Sequence, residues 1–312
     1  MKNEQPLVTV VTPCFNHEKF IEESLDSVRN QTYSNIQHII IDDCSKDNST
    51  IVIEKYILKY NYKCIFIKNE KNIGVCSVLN KAIALSEGKY WSGCTSDDTI
   101  MPYKIENLVD ILESAPPEVG VVFSDAYLMD DNSFVKDELF IQKHRNFAKI
   151  PEGNLFNVLL EGNFIPGMAL LLKTSIFNDI GVYDENLNYE DYDMWLRIAS
   201  KYQFIYHNKP MANYRIHDNN FHTRVNYEKA GFFIYIKHIN MNNKQLNNKI
   251  KSSLRYLYLS KHKNIKHCLK KINSKIEIPT LLEKSIQLNL PVFIYKILLF
   301  MQKKYRDVLK FI

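Results

Sequence analysis

Short apolar runs alternate with longer amphipathic segments in the first third of the chain. Residues 7–12 and 36–41 are short and rich in β-branched side chains, which predicts buried strands. Residues 18–31 lie between them, carry apolar side chains at helical spacing and have acids in the first turn, which predicts a helix. A strand, a helix and a second strand in this order predict a βαβ unit with a parallel strand pair.

The same alternation continues downstream and predicts an α/β fold with a mostly parallel sheet flanked by helices. Residues 128–153 have weak periodicity, and we expect them to form an irregular connection that contacts a substrate. The further predicted helices are 48–60, 75–86 and 103–114, and the further strands are 64–68, a run after Gly88, 119–125, 170–172 and 206–214.

Polar and acidic residues follow several of these predicted strands. They are residues 12–16, the pair Asp42 and Asp43, residues 69–72, and the pair Asp97 and Asp98. Ligands of open α/β sheets bind at the carboxyl ends of the strands, so we expect these four segments to converge on one edge.

The pair Asp97 and Asp98 has two interpretations. Carboxylate oxygens suit Mg²⁺ or Mn²⁺ bridging the phosphates of a nucleotide. Alternatively, one of the acids caps the helix that Pro102 introduces. The convergence of four strand ends favours the cation site.

A second acidic cluster, Glu190 and Asp191, precedes Trp195 at a predicted helix start. Such acids also occur simply because they complement the helix dipole, with the tryptophan in the core. His217 lies in a Tyr-Arg-x-His segment, and a lone histidine is most often a satisfied core or surface residue. Neither feature identifies a function by itself.

Several protein classes are disfavoured by the sequence. There is no G-x-G-x-x-G after the first strand and no P-loop motif, so neither a dinucleotide fold nor a P-loop enzyme is indicated. The six cysteines form no C-x-x-C pair and lie mostly in apolar runs, which disfavours a zinc site or a disulfide framework. Together with a short polar N-terminus without room for a signal peptide, this predicts a cytoplasmic protein.

The charge is divided unequally along the chain. Residues 1–230 have a net charge of −9, whereas residues 231–312 carry 17 Lys and Arg against 3 Asp and Glu, a net charge of +14. The basic part has a helical pattern, and its last segment combines lysines with an apolar stripe of Ile294, Leu298, Met301, Tyr305, Val308 and Ile312. Peripheral binding to an anionic membrane surface and packing of this stripe on the catalytic domain are both open.

The motifs in the first 220 residues, taken together, resemble those of family 2 inverting glycosyltransferases of the GT-A fold. The resemblance covers about residues 6–220, with the motifs in the family's order and spacing. It rests on residues 8–16, the helix end at 24–32, the turn at 41–47, Asn72-Ile73-Gly74 with Asn80, Ser96-Asp97-Asp98, and Glu190-Asp191 followed by Trp195.

The resemblance implies roles for most of these residues. Pro13, Phe15 and Asp43, with Asp42 in support and Asn72 nearby, are implied to surround the nucleoside of a nucleotide-sugar donor, most often UDP-linked. Of the D-x-D-like stretch, which here lacks its first Asp, Asp98 is implied to bind Mn²⁺ or Mg²⁺ and Asp97 to face the ribose. His217 is implied to be a further metal ligand, and Asp191 the catalytic base, with Glu190 as the alternative base.

We therefore expect residues 1–225 to be a GT-A catalytic domain and residues 226–312 a helical, basic region. The expected reaction is inverting transfer of a hexosyl or N-acetylhexosaminyl group to a glycan or lipid-linked glycan of the cell envelope, with a place on the inner face of the cytoplasmic membrane open. A nucleic-acid-binding protein would explain the basic region but leaves the converging acids without a role, so no nucleic acid is expected. A nucleotidyltransferase of similar architecture is the alternative among enzymes.

Overall fold

The computed structural model describes residues 5–187, 190–218, 227–272 and 275–309; within these, the side chains of residues 227–229 and 304–309 are not described. The chain divides into two compact units, Met1–Arg224 and Val225–Ile312. Each unit is described by itself.

Within its described residues, the first unit has nine strands in one sheet with helices between them. The strands are β1 (Val8–Cys14), β2 (Ile36–Asp42), β3 (Ile65–Lys68), β4 (Tyr90–Gly93), β5 (Thr99–Ile100), β6 (Val119–Met129), β7 (Val135–Leu139), β8 (Leu170–Lys173) and β9 (Gln203–Arg215). The helices are α1 (Ile21–Arg29), α2 (Ser49–Tyr60), α3 (Val75–Ala84), α4 (Lys104–Ser114), α5 (Phe140–His144), α6 (Phe156–Leu159), α7 (Ile176–Ile180) and α8 (Glu190–Ala199), with a 3-10 turn at Gly167–Ala169.

The sheet order is β3-β2-β1-β4-β8-β6-β9-β5, and β7 pairs with the edge of β6. The first four strands are parallel neighbours, β8 is antiparallel to both β4 and β6, and β9 runs parallel to β6. The predicted α/β fold with a mostly parallel sheet flanked by helices is therefore confirmed. The carboxyl ends of β1, β2, β3 and β4 lie on one edge because these strands are parallel.

The central strands are buried because their short β-branched runs are covered by helices. Val8, Val10 and Val11 of β1 and Ile39 and Ile40 of β2 are fully buried, as expected for parallel strands covered on both faces. This rigid block supports the polar turns at its carboxyl edge.

Residues 128–153 differ from the sequence prediction of an irregular connection. They contain the end of β6, the strand β7 and the short helix α5. Strand β7 forms the outer member of a hairpin and is mostly exposed, so it has no buried apolar face for a sequence pattern to reveal. The prediction of an irregular segment is wrong for this part.

The second unit is helical, as predicted. Its elements are α9 (Tyr227–Tyr235), a 3-10 turn (Ile236–His238), α10 (Lys244–Leu259), α11 (Ile265–Ile272), α12 (Thr280–Gln287) and α13 (Val292–Leu309). Buried apolar residues of α10, including Leu246, Ile250 and Leu254, form the centre of its core. Among the described residues of either unit, no helix combines the length and the apolar character needed to cross a bilayer.

Candidate active site

The turns after β1 and β2 are interlocked by hydrogen bonds at the carboxyl edge of the sheet. The Asn16 backbone N–H donates to Ser45 Oγ at 2.9 Å, and the Lys46 N–H donates to Asn16 Oδ1 at 2.6 Å. Asn16 has a φ of 59°, in the left-handed region that asparagine tolerates better than most residues. The two turns therefore form one preorganised surface.

Asp42 shapes the turn that follows β2. Its carboxylate accepts from the Ser45 N–H at 3.0 Å, from Ser45 Oγ at 2.5 Å and from Thr50 Oγ1 at 3.0 Å. The side chain is buried, and these donors replace the water it has lost. Asp42 therefore fixes the loop and is shielded from solvent.

Asp43 joins the β2 turn to the start of α3. Its carboxylate accepts from Asn69 Nδ2 at 2.9 Å and from the N–H groups of Ile73 and Gly74, each at 2.9 Å. The N–H groups of Ile73 and Gly74 are backbone donors at the N-terminal end of α3, where a negative charge is favourable. Asp42 and Asp43, with the loops that their hydrogen bonds hold, thus form a rigid wall at the carboxyl edge of the sheet.

The other predicted nucleoside contacts lie at the rim of this wall. Phe15 keeps 41% of its surface exposed, and Pro13 is half-buried at the end of β1. Asn72 is exposed, and its Nδ2 donates to the Asp43 backbone oxygen at 3.2 Å. An exposed aromatic ring such as that of Phe15 is suited to stacking against a flat heterocycle.

Three side chains from separate elements meet beside this wall. His17 follows β1, Asp97 lies in the turn between β4 and β5, and His217 follows β9. His217 Nε2 lies 3.1 Å from Asp97 Oδ2, and His17 Nδ1 lies 3.8 Å from Asp97 Oδ1. One ligand atom from each side chain lies within 4.8 Å of the other two, so the three can converge on one cation.

The donor set fits a divalent transition ion. Two imidazoles and a carboxylate provide one oxygen and two nitrogen ligands, a combination that Mn²⁺ accepts more readily than Mg²⁺. Burial favours the neutral form of Asp97, but the hydrogen bond to His217 and the two histidine rings outweigh it and lower the pKa of this carboxyl. Burial also lowers the pKa of His17, which favours the neutral imidazole that ligates metals.

Asp98 is not part of this cluster. Its carboxylate accepts a hydrogen bond from Thr95 Oγ1 and another, at 2.8 Å, from the Arg215 backbone N–H. Burial, reinforced by the neighbouring charge of Asp97, raises the pKa of Asp98 well above its usual range. The sequence analysis expected Asp98 at the metal and Asp97 at the ribose, whereas the geometry favours Asp97 as the metal ligand.

Arg215 fixes the turn that carries Asp97. Its buried guanidinium donates from Nε to the Asp97 backbone oxygen at 2.6 Å and from Nη1 to Asp130 O at 3.0 Å and Ser133 Oγ at 2.9 Å. Nη2 pairs with Glu23 Oε2 at 2.5 Å. The planar fork thereby fastens the acidic turn to α1 and to the β6–β7 hairpin.

The second acidic motif lies in the first turn of α8. Asp191 accepts from the Tyr192 N–H at 2.6 Å and from Asn163 Nδ2 at 2.9 Å. Asn163 can donate in this direction because its Oδ1 accepts from the Ile165 N–H at 3.1 Å. Burial and, secondly, the charge of Glu190 raise the pKa of Asp191 to about 7, so this carboxylate can exchange a proton near neutral pH.

Glu190 is also partly enclosed, and burial raises its pKa. The two neighbouring carboxyl groups repel each other, which disfavours simultaneous ionisation. Asp191 therefore has two hydrogen-bond donors, and the charge of the neighbouring Glu190 helps to raise its pKa.

Hydrogen bonds connect residues 183–187, which lead towards α8, to α3. The Tyr183 N–H donates to Asn80 Oδ1 at 2.8 Å, and Asn80 Nδ2 donates back to Tyr183 O at 3.0 Å. Cys76 Sγ donates to Leu187 O at 3.4 Å. The segment that leads into α8 is thereby held against the same helix that Asp43 anchors.

Lys104, at the start of α4, connects the 3-10 turn at Gly167–Ala169 to β4. Its buried Nζ donates to Met168 O at 2.6 Å, to Ser92 Oγ at 2.7 Å and more weakly to Gly93 O at 3.3 Å. The segment from Asn163 to Met168 is thereby tied to the strand that leads into Asp97.

Sequence reasoning missed three of these residues, namely His17, Arg215 and Asn163. His17 comes one residue after the strand-end segment expected to face the ligand, so its position was the available signal. Arg215 stands two residues before His217 in the same motif. Nothing local marks Asn163, because its contact with Asp191 spans 28 residues.

Comparison with known proteins gives a consistent result. Residues 9–181 match the Glycosyl transferase family 2 domain. An uncharacterized glycosyltransferase of Rickettsia typhi is 33% identical over 219 residues, which are 68% of this chain and 65% of that protein. The chain thus spans just under two thirds of that relative. TuaG of Bacillus subtilis, named for teichuronic acid biosynthesis, is 25% identical over 75% of this chain and 89% of its own length.

Solved structures with a similar fold include two complexes with nucleotide sugars. TarS 1-349 of S. aureus with UDP-GlcNAc has a TM-score of 0.58 and 15% identity, covering 91% of this chain and 92% of TarS 1-349. The mannosyltransferase PcManGT of Pyrobaculum calidifontis with GDP-Man and Mn²⁺ has a TM-score of 0.59 and 18% identity, covering 96% and 85%. These likenesses show the fold, and the domain match covers more than half of the 312 residues. The protein therefore belongs to glycosyl transferase family 2.

Proposed function

We propose that the protein is an inverting glycosyltransferase that moves a sugar from a nucleotide-sugar donor to a hydroxyl of a glycan or lipid-linked glycan. The observation that carries this proposal is that the first unit holds both a cluster of side chains able to bind a cation and a carboxylate whose pKa is raised to about 7. The likeness to TuaG supports a polysaccharide of the cell envelope as the acceptor. All six cysteines are free, which supports action in the reducing cytoplasm.

The donor is proposed to bind with its nucleoside against the β1 and β2 turns. Phe15 offers an exposed ring for the base. Pro13 precedes it at the end of β1, Asn72 lies in the loop before α3, and Asp42 and Asp43 hold the loops. The likeness to TarS with UDP-GlcNAc supports a UDP-linked sugar, of hexosyl or N-acetylhexosaminyl type.

The diphosphate is proposed to lie against His17, Asp97 and His217, which would hold Mn²⁺ in preference to Mg²⁺ because two ligands are imidazoles. A divalent cation there supplies positive charge to the departing nucleoside diphosphate. The likeness to PcManGT, whose structure contains GDP-Man and Mn²⁺, supports this assignment. Asp98 and Arg215 position the turn that carries Asp97.

Asp191 is proposed to act as the general base. It takes the proton of the acceptor hydroxyl while that oxygen forms a bond to the anomeric carbon. The bond from this carbon to the diphosphate breaks on the opposite side, and its electron pair leaves with the nucleoside diphosphate. A base with a pKa near 7 is ionised often enough to accept the proton and basic enough to retain it.

The test is Asp191→Asn, which preserves size but cannot accept the proton. The Tyr192 N–H and Asn163 Nδ2 donate to different oxygens of Asp191, so the amide oxygen keeps one of these two contacts. Single-turnover transfer at saturating donor should fall by about 10²- to 10⁴-fold, while the donor dissociation constant stays near that of the wild type. Release of a nucleoside diphosphate identifies glycosyl transfer, and release of pyrophosphate would identify a nucleotidyltransferase.

Glu190→Gln is the matched control, since it removes the neighbouring charge and leaves Asp191 in place. We expect a smaller loss of transfer in this variant. A severe loss confined to Glu190→Gln would move the base to Glu190, and near-normal transfer by both variants would remove the carboxylate mechanism.

A further inference from the structure

Among the described side chains of α13, residues 292–303, Tyr295 is the buried one that packs against the rest of the unit. Tyr295 is buried, and its ring packs edge-on against Tyr258 with 5.2 Å between centroids. The Tyr258 hydroxyl donates to Leu290 O at 2.5 Å, just before the helix begins. These contacts orient the helix against its own unit.

The opposite side of α13 is apolar and exposed. Phe293, Ile297, Phe300 and Met301 are 64%, 54%, 68% and 60% exposed. Their spacing of four, three and one residues places them on one face of a helix. This stripe differs from the sequence-predicted one: Ile294 is only partly exposed, and of its other members only Leu298 and Met301 have described, exposed side chains.

Lysines accompany this apolar stripe. Lys296 and Lys303 are exposed and lie seven residues apart, two turns along the same edge of the stripe. Residues 292–303 contain no acidic side chain, and residues 231–312 as a whole carry a net charge of +14. Large apolar side chains bordered by cations match the two layers of an anionic lipid surface, acyl chains below and phosphates above.

We propose that the stripe of Phe293, Ile297, Phe300 and Met301 docks α13 in the plane of an anionic membrane, with Lys296 and Lys303 among the headgroups. A nucleic acid would use the lysines but has no layer that takes up four adjacent apolar side chains. Membrane docking gives both features a role. It also brings a glycosyltransferase to the surface where lipid-linked acceptors are found, although the docking is inferred independently of the activity.

The test is cosedimentation of the full chain with vesicles of phosphatidylglycerol and phosphatidylcholine, compared with phosphatidylcholine alone. The wild type should bind the anionic vesicles in preference. Lys296→Gln with Lys303→Gln should weaken the partition constant about 30-fold, from about 1 kcal/mol per basic residue at an anionic surface. Phe293→Ser with Phe300→Ser should weaken it at least about 10-fold, because each ring loses its apolar burial.

Matched variants separate this surface from general properties of the chain. Lys270→Gln with Lys271→Gln removes the same charge from exposed positions of α11 and should reduce binding much less. Leu58→Ser removes an 82% exposed apolar residue of the first unit and should leave binding unchanged. Loss of binding in the α11 pair equal to that in the α13 pair would overturn the proposal. So would wild-type binding by the phenylalanine pair, or salt-sensitive binding to duplex DNA with no binding to vesicles.

Discussion

Asp97 and Asp98 are adjacent in the chain and have opposite surroundings. Asp97 faces His17 and His217, while the oxygens of Asp98 accept from Thr95 and from the backbone of Arg215. Both residues lie in the turn between β4 and β5, where the Asp98 N–H donates to Thr95 O at 3.1 Å, and of the two carboxylates it is that of Asp97 that meets the histidines. The sequence identifies the pair but not which member turns outward, because that depends on how the turn pairs with β9.

Substitution of each aspartate by asparagine should separate these roles. Asp97→Asn removes the charged ligand and should weaken Mn²⁺ binding by more than the about 10- to 100-fold typical of losing an outer-shell partner. Asp98→Asn keeps an oxygen for the Arg215 N–H and should change the affinity little. Calorimetric titration of Mn²⁺ in the presence of UDP measures both.

A loss in Asp98→Asn that exceeds the loss in Asp97→Asn would return the metal to Asp98, as first expected from the sequence. His217→Ala serves as the positive control for the cluster, since its Nε2 contacts the Asp97 carboxylate directly.

At the scale of secondary structure, the sequence was informative where burial was strong. Strands β1 and β2 were predicted because their apolar runs are buried on both faces. Strand β7 was missed because it is an exposed outer strand, and α5 because five residues give too little periodicity. The four strand ends were expected to converge because parallel connections require it. The contact of Asn163 with Asp191 depends on loop geometry that no local pattern encodes.

Lys104 joins α4 to β4 and the 3-10 turn by hydrogen bonds, and burying its charge lowers the free energy of unfolding. Burial lowers the pKa of its ammonium group from 10.5 to about 8, although it donates hydrogen bonds to three neighbouring groups. Between these pH values the unfolded chain keeps the proton while the folded chain releases it. The free energy of unfolding therefore rises with pH through this window, and below about pH 8 the full cost of burying the charge is present.

Lys104→Met should abolish this pH dependence. The wild type should gain about 3 kcal/mol of unfolding free energy between pH 8 and pH 10.5 relative to the variant. Urea unfolding followed by tryptophan fluorescence is the measurement, because Trp91 and Trp195 are the only tryptophans and both are buried in the first unit. Parallel pH curves for the two proteins would show that Lys104 has an ordinary pKa.

At the scale of the whole molecule, chemistry and surface docking are assigned to different units. The cation cluster and Asp191 belong to the first unit, and the exposed stripe of α13 belongs to the second. The charge follows the same division, with a net negative charge over residues 1–230 and +14 over residues 231–312. A negative unit is not attracted to an anionic surface, so the docking charge is confined to the second unit.

This division predicts that ligand binding and vesicle binding can be removed separately. UDP with Mn²⁺ at 100 times the dissociation constant should stabilise the folded first unit by about 2.7 kcal/mol. For a unit of this size that corresponds to a rise of about 5–10 °C in the melting temperature followed by tryptophan fluorescence. Asp97→Asn should lose the Mn²⁺-dependent part of this rise and still bind anionic vesicles. Phe293→Ser with Phe300→Ser should show the full rise and fail to bind vesicles, whereas a reduced rise in that variant would mean that the stripe on α13 contributes to the folded site itself.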